Sequence, residues 1–127
     1  MSTILSGVRS PLAAAFSGLA ANVFAYVPEN VPAPAIVIIP DTDYLEPTLI
    51  NKGNMTFKIN LVISCAVAYN SNPASLDNLE QLVISVLALI PNGYELGAAQ
   101  RPTVMQVGSS TLLVSDISVS TYYTQTI

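Results

Sequence analysis

The fold of this chain is decided by residues 56–69, which read TFKINLVISCAVAY. Apolar and polar side chains alternate through the first half, as in a β-strand, where successive side chains point to opposite faces. One face is apolar throughout, whereas the other begins polar and continues with small or apolar residues. The pattern predicts a strand that is half exposed at its start and covered on both faces at its end. Because it far exceeds the usual length of about five or six residues, we expect it to be the central strand of a sheet.

The segment before this strand is predicted to contain a helix and a short strand. Residues 10–21 read as an amphipathic helix, with Ser10 as its cap and Pro11 in its first turn. Its predicted buried stripe consists of Leu12, Ala15, Phe16 and Leu19. Several prolines then favour an extended link. Residues 35–39 are apolar and predict a short buried strand that ends at Pro40.

The segment after the central strand is predicted to contain a second helix and a hairpin. Asn72 and Pro73 open the helix, which ends before Gly93. Its predicted buried face consists of Leu76, Leu79, Val83, Val86, Leu87 and Ile90. Two strands follow, at residues 103–107 and 111–123. The predicted fold class is α+β: a mostly antiparallel four-stranded sheet with two packed helices, in the order α-β-β-α-β-β, as a single domain over residues 1–127.

The composition indicates a subunit of an assembly. Charged residues make up 9% of the chain and hydrophobic residues 51%, whereas about 25% charge is typical. The longest apolar run, residues 82–90, is far shorter than the roughly 20 residues that span a bilayer. We therefore expect the surplus apolar surface to contact other subunits. No membrane is expected as a partner. The net charge is −4 without any cluster of Lys and Arg, which argues against a nucleic-acid-binding surface.

Residues 40–55 are predicted to form a long loop. A loop longer than about 12–15 residues is uncommon in a compact domain and is usually functional or mobile. Because this one carries several large apolar side chains, we expect it to pack on a neighbouring copy of the chain. A two-stranded extension of the hairpin is the alternative. The predicted contact residues are Asp43, Tyr44, Leu45, Glu46, Pro47, Leu49 and Ile50.

The sequence offers few groups for catalysis. It has no histidine, which excludes Ser-His and Cys-His nucleophile pairs and histidine metal sites. The one cysteine, Cys65, lies on the apolar face of the central strand and is read as a small buried hydrophobe. Asp41, Asp43 and Glu46 form the only carboxylate group of interest, and their spacing matches no EF-hand loop. No catalytic residue, cofactor or metal site is predicted; a metal-dependent enzyme that uses these carboxylates is an alternative hypothesis.

An exported binding module is a further alternative. Residues 11–21 combine an apolar run with small residues, as the core of a signal peptide does. The basic start of such a peptide is missing, because Arg9 stands alone. The amphipathic helix is therefore the favoured interpretation.

Three segments carry a resemblance to a known family: PAIVIIP at residues 34–40, DYLEP at 43–47 and ASLDNLEQL at 74–82. Together with the amino-terminal helix, the long strand and the closing hairpin, they resemble the tail terminator proteins of long-tailed bacteriophages, most closely those of actinobacterial phages. The likeness runs from about Gly7 to Tyr123 in the order of the elements. The DYLEP segment is its sharpest part.

The resemblance implies a structural virion protein, not an enzyme, that forms a hexameric ring on the last ring of the tail tube. Such a ring ends tube polymerisation and joins the tail tube protein to the head-side connector, while DNA passes through the lumen without specific binding. It implies a location at the head–tail junction, after synthesis in the host cytoplasm. A head-closure or neck adaptor, or a tail tube subunit of the same virion, is the alternative.

Overall fold

The stretch at residues 56–69 lies at the centre of a β-sheet, as its alternation predicts. The computed structural model describes residues 8–19, 21–25, 34–51, 53–69, 73–107 and 110–126. Within these ranges the elements in chain order are α1 (Ser10–Ala15), β1 (Asn22–Phe24), β2 (Ala35–Asn51), β3 (Asn54–Ala68), α2 (Pro73–Leu89), β4 (Glu95–Ala99), β5 (Thr103–Val107) and β6 (Ser110–Thr126).

The sheet is built around the pairing of β3 with β6. Every residue from Asn54 to Ala68 pairs with one from Thr126 to Leu112, without a break in register. β2 pairs with the other side of β3, and the short β1 pairs in parallel with the start of β2. β4 and β5 both pair with β6. The sheet therefore has the strand order β1-β2-β3-β6-β4, with β5 also beside β6.

The prediction of a four-stranded, mostly antiparallel sheet in the order α-β-β-α-β-β is wrong. Strands make up 57% of the structure and form one six-stranded mixed sheet, in the order α-β-β-β-α-β-β-β. The two missed strands, β1 and β4, are three and five residues long. Neither alternates clearly between apolar and polar residues. Each is held by pairing with a much longer neighbour, and this tertiary context outweighs local preference.

The prediction that Pro40 ends a short strand and opens a loop is also wrong. β2 continues through Pro40 and Pro47 to Asn51, so the hairpin extension is the correct alternative. Proline donates no backbone hydrogen bond and is therefore confined to edge strands, strand starts and bulges. Beyond Val37, β2 has β3 on one side and no described strand on the other, so this part of β2 is an edge strand, where prolines are tolerated.

Both helices pack on one face of the sheet. The alternate residues of β3 that point towards them are fully buried from Ile59 to Cys65. Their partners extend the same layer, because Ile63 pairs with Ile38 of β2 and Ile117 of β6. Leu12 and Phe16 of α1 and Leu79 and Val86 of α2 complete this core. The end of β3 is buried on both faces, as predicted, since its successive residues Cys65 and Ala66 are both buried.

The structure corrects two details of the predicted helices. Ser10 is not a cap: the cap position of α1 is Arg9, and no side chain caps this helix. Leu76 was predicted to be buried, but 44% of its surface is exposed, and Leu82 packs against the core instead. Neither helix that the structure describes has the length and apolarity required to cross a membrane.

The sheet is much longer than the helix that covers it. The 17 residues of α2 span roughly 26 Å at 1.5 Å per residue. The 15 residues of β3 span roughly 50 Å at 3.3 Å per residue. One end of the sheet must therefore extend past the helix layer, and the fully buried side chains of β3 accordingly stop at Ile59. We call this end the arm; it consists of residues 41–51, 54–58 and 122–126.

We expect Leu61→Ala to destabilise the protein by about 2–5 kcal/mol, because Leu61 is fully buried and its removal leaves a cavity. Leu76→Ala is the matched control, since it removes the same atoms from a side chain that is 44% exposed and should cost about 1 kcal/mol or less. Urea denaturation of both variants measures the difference. Equal losses of stability would contradict the assignment of the core.

Candidate subunit interface

The predicted contact residues lie on β2 in the arm. The backbones of Leu45, Glu46 and Pro47 pair with Ile59, Lys58 and Phe57 of β3. Leu49 and Ile50 pair with Thr56 and Met55 in the same ladder, and only their backbones are described. The structure therefore brings these residues together on one hairpin at an edge of the sheet. They form an edge strand and not a free loop.

A large bulge interrupts this hairpin. Pro40 pairs with Leu61 and Leu45 pairs with Ile59, so residues 41–44 of β2 all lie opposite Asn60. Asp43 has a backbone φ of 56°, a left-handed conformation that asparagine and aspartate adopt more readily than most other residues. Bulges bend an edge strand and redirect its side chains. Here the bulge places two carboxylates, those of Asp41 and Asp43, at the sheet edge.

Asn60 holds the bulge in place. Its Nδ2 donates to the Asp43 carbonyl at 2.7 Å and to the Glu46 Oε2 at 2.5 Å. Its Oδ1 accepts from the Ser120 Oγ at 2.7 Å. One amide thus ties the bulged strand β2 to β3 and β6. A bulge held by hydrogen bonds on both flanks presents its exposed side chains in a defined position, which a contact surface requires.

The side chains of the predicted contact residues differ in their roles. Tyr44 is half-buried and packs against the core of its own chain. The Glu46 carboxylate accepts a hydrogen bond from Asn60. Leu45 is 41% exposed, although its strand partner Ile59 is fully buried on the helix side of the sheet. Leu45 is therefore the large apolar side chain on the bulge that remains available to a partner.

The arrangement gives no support to a metal site. Among the residues that the structure describes, no three acidic or cysteine side chains come close enough together to hold an ion. The Asp41 Oδ1 accepts a hydrogen bond from the backbone N–H of Thr42 at 2.8 Å, and Glu46 bonds to Asn60. The carboxylates of Asp41 and Glu46 thus bond to different partners, and no common centre forms with Asp43.

Cys65 is buried and free, as its position on the apolar face predicts. Burial raises the pKa of the Cys65 thiol from 9.0 to about 12, and the carboxylate of Asp116 adds to the increase. Since the thiolate is the nucleophilic form, Cys65 is unreactive in the folded protein near neutral pH. Its side chain is part of the core.

The opposite edge of the sheet is formed by β4 and β5 together. Because β3 occupies one side of β6 along its length, both strands pair with the other side. Between them, the Gln100 N–H donates to the Asp116 carbonyl at 2.8 Å, and the Ser115 Oγ donates to the Gln100 carbonyl at 2.7 Å. These bonds hold the connection against β6. The two short strands therefore act as one edge, which we call the β4–β5 edge.

Sequence reasoning missed this second edge. Leu96 of β4 and Val104 and Met105 of β5 are each about half exposed. Adjacent residues in a strand point to opposite faces, so both members of the pair Val104–Met105 can be buried only if a strand is covered on both sides. Two adjacent apolar residues in a strand were therefore the sequence feature that could have indicated an exposed apolar edge. Leu96, by contrast, stands in a run of small residues with no periodicity.

A groove runs between α2 and the β4–β5 edge. Its volume is about 260 Å³, and its apolar wall is formed by Leu79, Val83 and Ile84 of α2. Ala99, Gln100, Pro102 and Ser115 line the sheet side, and Glu80 stands at the groove as its one charged residue. Ile84 is 58% exposed. The groove therefore offers an apolar recess on the helix side of the sheet.

The two edges differ in how a partner can use them. The β2 edge carries two prolines, a bulge and acidic side chains, which are features that prevent another strand from pairing with an edge. Contacts at this edge must therefore be made by side chains. The β4–β5 edge is exposed along most of its length, with charges at Glu95 and Arg101 only.

Comparison with known proteins gives no relative to guide the assignment: no family model matches the chain, and no curated protein matches it.

We expect Asn60→Ala to lower stability by about 1–3 kcal/mol, because it removes the partner of three polar groups around the bulge. Thr124→Val is the control, since it removes an exposed hydroxyl–hydroxyl bond from the same face and should change stability by less than about 0.5 kcal/mol. Hydrogen exchange of residues 41–46 should accelerate in Asn60→Ala only. Unchanged exchange would show that the bulge does not depend on this amide.

Stability should fall as the pH rises from about 9 towards 12. The folded state keeps the Cys65 proton because its pKa is raised, whereas the unfolded chain releases it, so folding is penalised increasingly over this range. One proton changes the slope by up to about 1.36 kcal/mol per pH unit. Burial also raises the pKa of Tyr94, which acts in the same direction. Urea denaturation should show a shallower pH dependence for Cys65→Ala, and an identical slope would contradict the assignment.

Proposed function

We propose that this chain is a structural subunit of a homo-oligomeric ring that caps the tail tube of a long-tailed bacteriophage. The observation that carries the proposal is the pair of unlike edges, with Leu45 exposed at one and Leu96, Val104 and Met105 at the other, on a protein with only 9% charged residues. Exposed apolar patches on a soluble domain mark interaction sites. The subunit completes its surface by contact with copies of itself.

The positions of the two edges favour a ring over a two-fold dimer. A dimer places the same patch of both subunits against each other, whereas contact between two different patches generates a ring or an open filament. The β2 edge carries a bulge and Leu45, and the β4–β5 edge carries a groove. One edge thus offers a projecting side chain and the other a recess, so the two are unlike. Head-to-tail contact, edge to opposite edge, therefore fits this subunit best.

The face of the sheet away from the helices suits a lumen through which DNA passes. Thr56 pairs with Thr124 and Asn60 with Ser120 on this face, and these side chains are polar without charge. Tight binding of DNA requires several Lys or Arg side chains at the phosphates. The described lysine on this face, Lys58, lies 3.7 Å from the Glu95 carboxylate. Such a surface would let a polyanion slide past.

The assignment to a phage tail rests on the resemblance carried by residues 34–40, 43–47 and 74–82. In this proposal the ring sits on the last tube ring, ends tube growth and contacts the head-side connector. The neck adaptor and the tail tube subunit are the competing positions in the same virion. Immunogold labelling of intact particles distinguishes the tube subunit, which would label the whole tail, from a cap, which gives one band at its head end. Labelling of isolated tails distinguishes the cap, which stays on the tail, from an adaptor, which stays on the head.

We expect the purified protein to form closed rings and Leu45→Ala to weaken them more than it weakens the fold. Leu45 is the better variant because Tyr44 packs in its own core, so that Tyr44→Ala would disturb the subunit itself. Sedimentation velocity should show an increase of about tenfold or more in the half-assembly concentration. Leu76→Ala, with a side chain of similar exposure on α2, is the control and should leave assembly unchanged.

Two results would contradict this proposal. A wild-type chain that stays monomeric at all accessible concentrations would exclude the ring. Long filaments of pure protein in electron micrographs would instead identify a tube subunit, because tube proteins polymerise without closure.

A further inference from the structure

We propose that the groove between α2 and the β4–β5 edge receives Leu45 of the neighbouring copy, while Arg101, which lies between the groove residues Gln100 and Pro102, faces the neighbour's acidic bulge at Asp41 and Asp43. This inference rests on the proposed ring and names its contact. The occupant is a second copy of this chain. Apolar fit and charge complementarity identify it.

Leu45 and the groove cannot come into contact within one chain. Leu45 lies on β2 and the groove lies at the β4–β5 edge, with β3 and β6 between them. Three strand spacings separate the two edges, or roughly 14 Å at 4.8 Å per spacing. Both features face the helix side of the sheet, because Leu45 pairs with the inward-facing Ile59 and α2 forms one wall of the groove. Through Ile59, Leu45 lies level with Thr121 of β6, whereas the groove reaches Ser115, six residues along the same strand. Two copies placed edge to edge, with their helices on the same side, therefore bring the two features together when they are offset along the strands by roughly 20 Å, at about 3.3 Å per residue.

Charge orients the contact. Of the three basic residues that the structure describes, Lys58 pairs with Glu95, and the Nε of Arg9 is enclosed within its own chain. Arg101 is exposed and forms no ion pair with a described residue. Asp41 and Asp43 likewise have no cationic partner among the described residues. The carboxylate of Glu80 at the groove repels the neighbour's Asp41 and Asp43. The contact therefore requires that these two carboxylates lie near Arg101 instead.

The bulge is suited to be the inserted part. The hydrogen bonds of Asn60 fix it in one conformation, so little conformational freedom is lost when it enters the groove. An apolar anchor in a pocket with charged groups around it is the usual arrangement of the residues that dominate an interface. The charged rim then selects the orientation and the partner more than it adds affinity.

A charge exchange tests the contact. Arg101→Glu and Asp41→Arg should each raise the half-assembly concentration about tenfold or more in sedimentation velocity, because each places like charges together. The double variant Arg101→Glu/Asp41→Arg should return close to the wild-type value. Asp77→Arg, the same charge change on an exposed part of α2, is the control and should have no effect. Circular dichroism verifies that each variant is folded.

A disulfide test does not depend on charge. A chain with both Leu45→Cys and Ile84→Cys should form a ladder of covalent oligomers on oxidation, ending at the size of the ring. Either substitution alone should yield no ladder, since Cys65 is buried. A ladder from the double variant together with rescue by the charge exchange supports the contact.

Failure of this inference can be told apart from failure of the ring. If the wild type forms rings, and neither the charge variants nor the cysteine pair has the expected effect, the contact lies elsewhere and the ring stands. The contact is also excluded if the double charge variant does not regain wild-type assembly and the cysteine pair forms no covalent oligomers. If the wild type is monomeric, the ring fails and this contact fails with it.

Discussion

The unbroken pairing of β3 with β6, from Asn54–Thr126 to Ala68–Leu112, is the constraint on which the rest of this structure depends. It creates a sheet about twice as long as the helix that covers it. Backbone groups inside the sheet are satisfied by its own ladder, so the arm keeps its shape without a helix above it. The apolar side chains of the arm are not covered in the same way, because no helix packs over them. Leu45 is 41% exposed beside its fully buried partner Ile59, because it lies on the edge strand β2.

The same pairing determines what kind of contact each edge can make. β6 has β3 on one side, so β4 and β5 must share the other and leave a break at Arg101 and Pro102. β2 lies at the far edge, where prolines and a bulge are tolerated because few strand partners need their N–H groups. One edge thus becomes a recess and the other a projection. The head-to-tail contact that we propose joins these two unlike edges.

The sequence allowed the central strand, the second helix and the buried cysteine to be predicted, because each depends on local periodicity. The burial of alternate residues from Ile59 to Cys65 follows directly from that pattern. The length of β2 could not be predicted in the same way, since Pro40 is compatible with a strand only at a sheet edge and edges are defined by topology. β1 and β4 form because a longer strand lies beside them, and their own residues give little indication of it.

The contact role of residues 43–50 stays a prediction, and the sequence did not indicate how their side chains would be arranged. Composition and the apolar character of residues 41–50 indicated a docking segment, but not that Tyr44 packs against its own core while Leu45 stays exposed. That difference arises from the bulge opposite Asn60, which depends on hydrogen bonds between three strands. The groove was not predictable either. The groove forms where α2 meets the β4–β5 edge over β6. This packing is not visible in the periodicity of either segment.

The central claim is that this subunit leaves surface exposed that only further copies of itself can cover. Native mass spectrometry of the purified chain tests it most directly, since the subunit mass is 13.4 kDa. A single closed species at one fixed multiple of that mass is the predicted result. A species at 13.4 kDa alone, persisting as the concentration is raised, would contradict it.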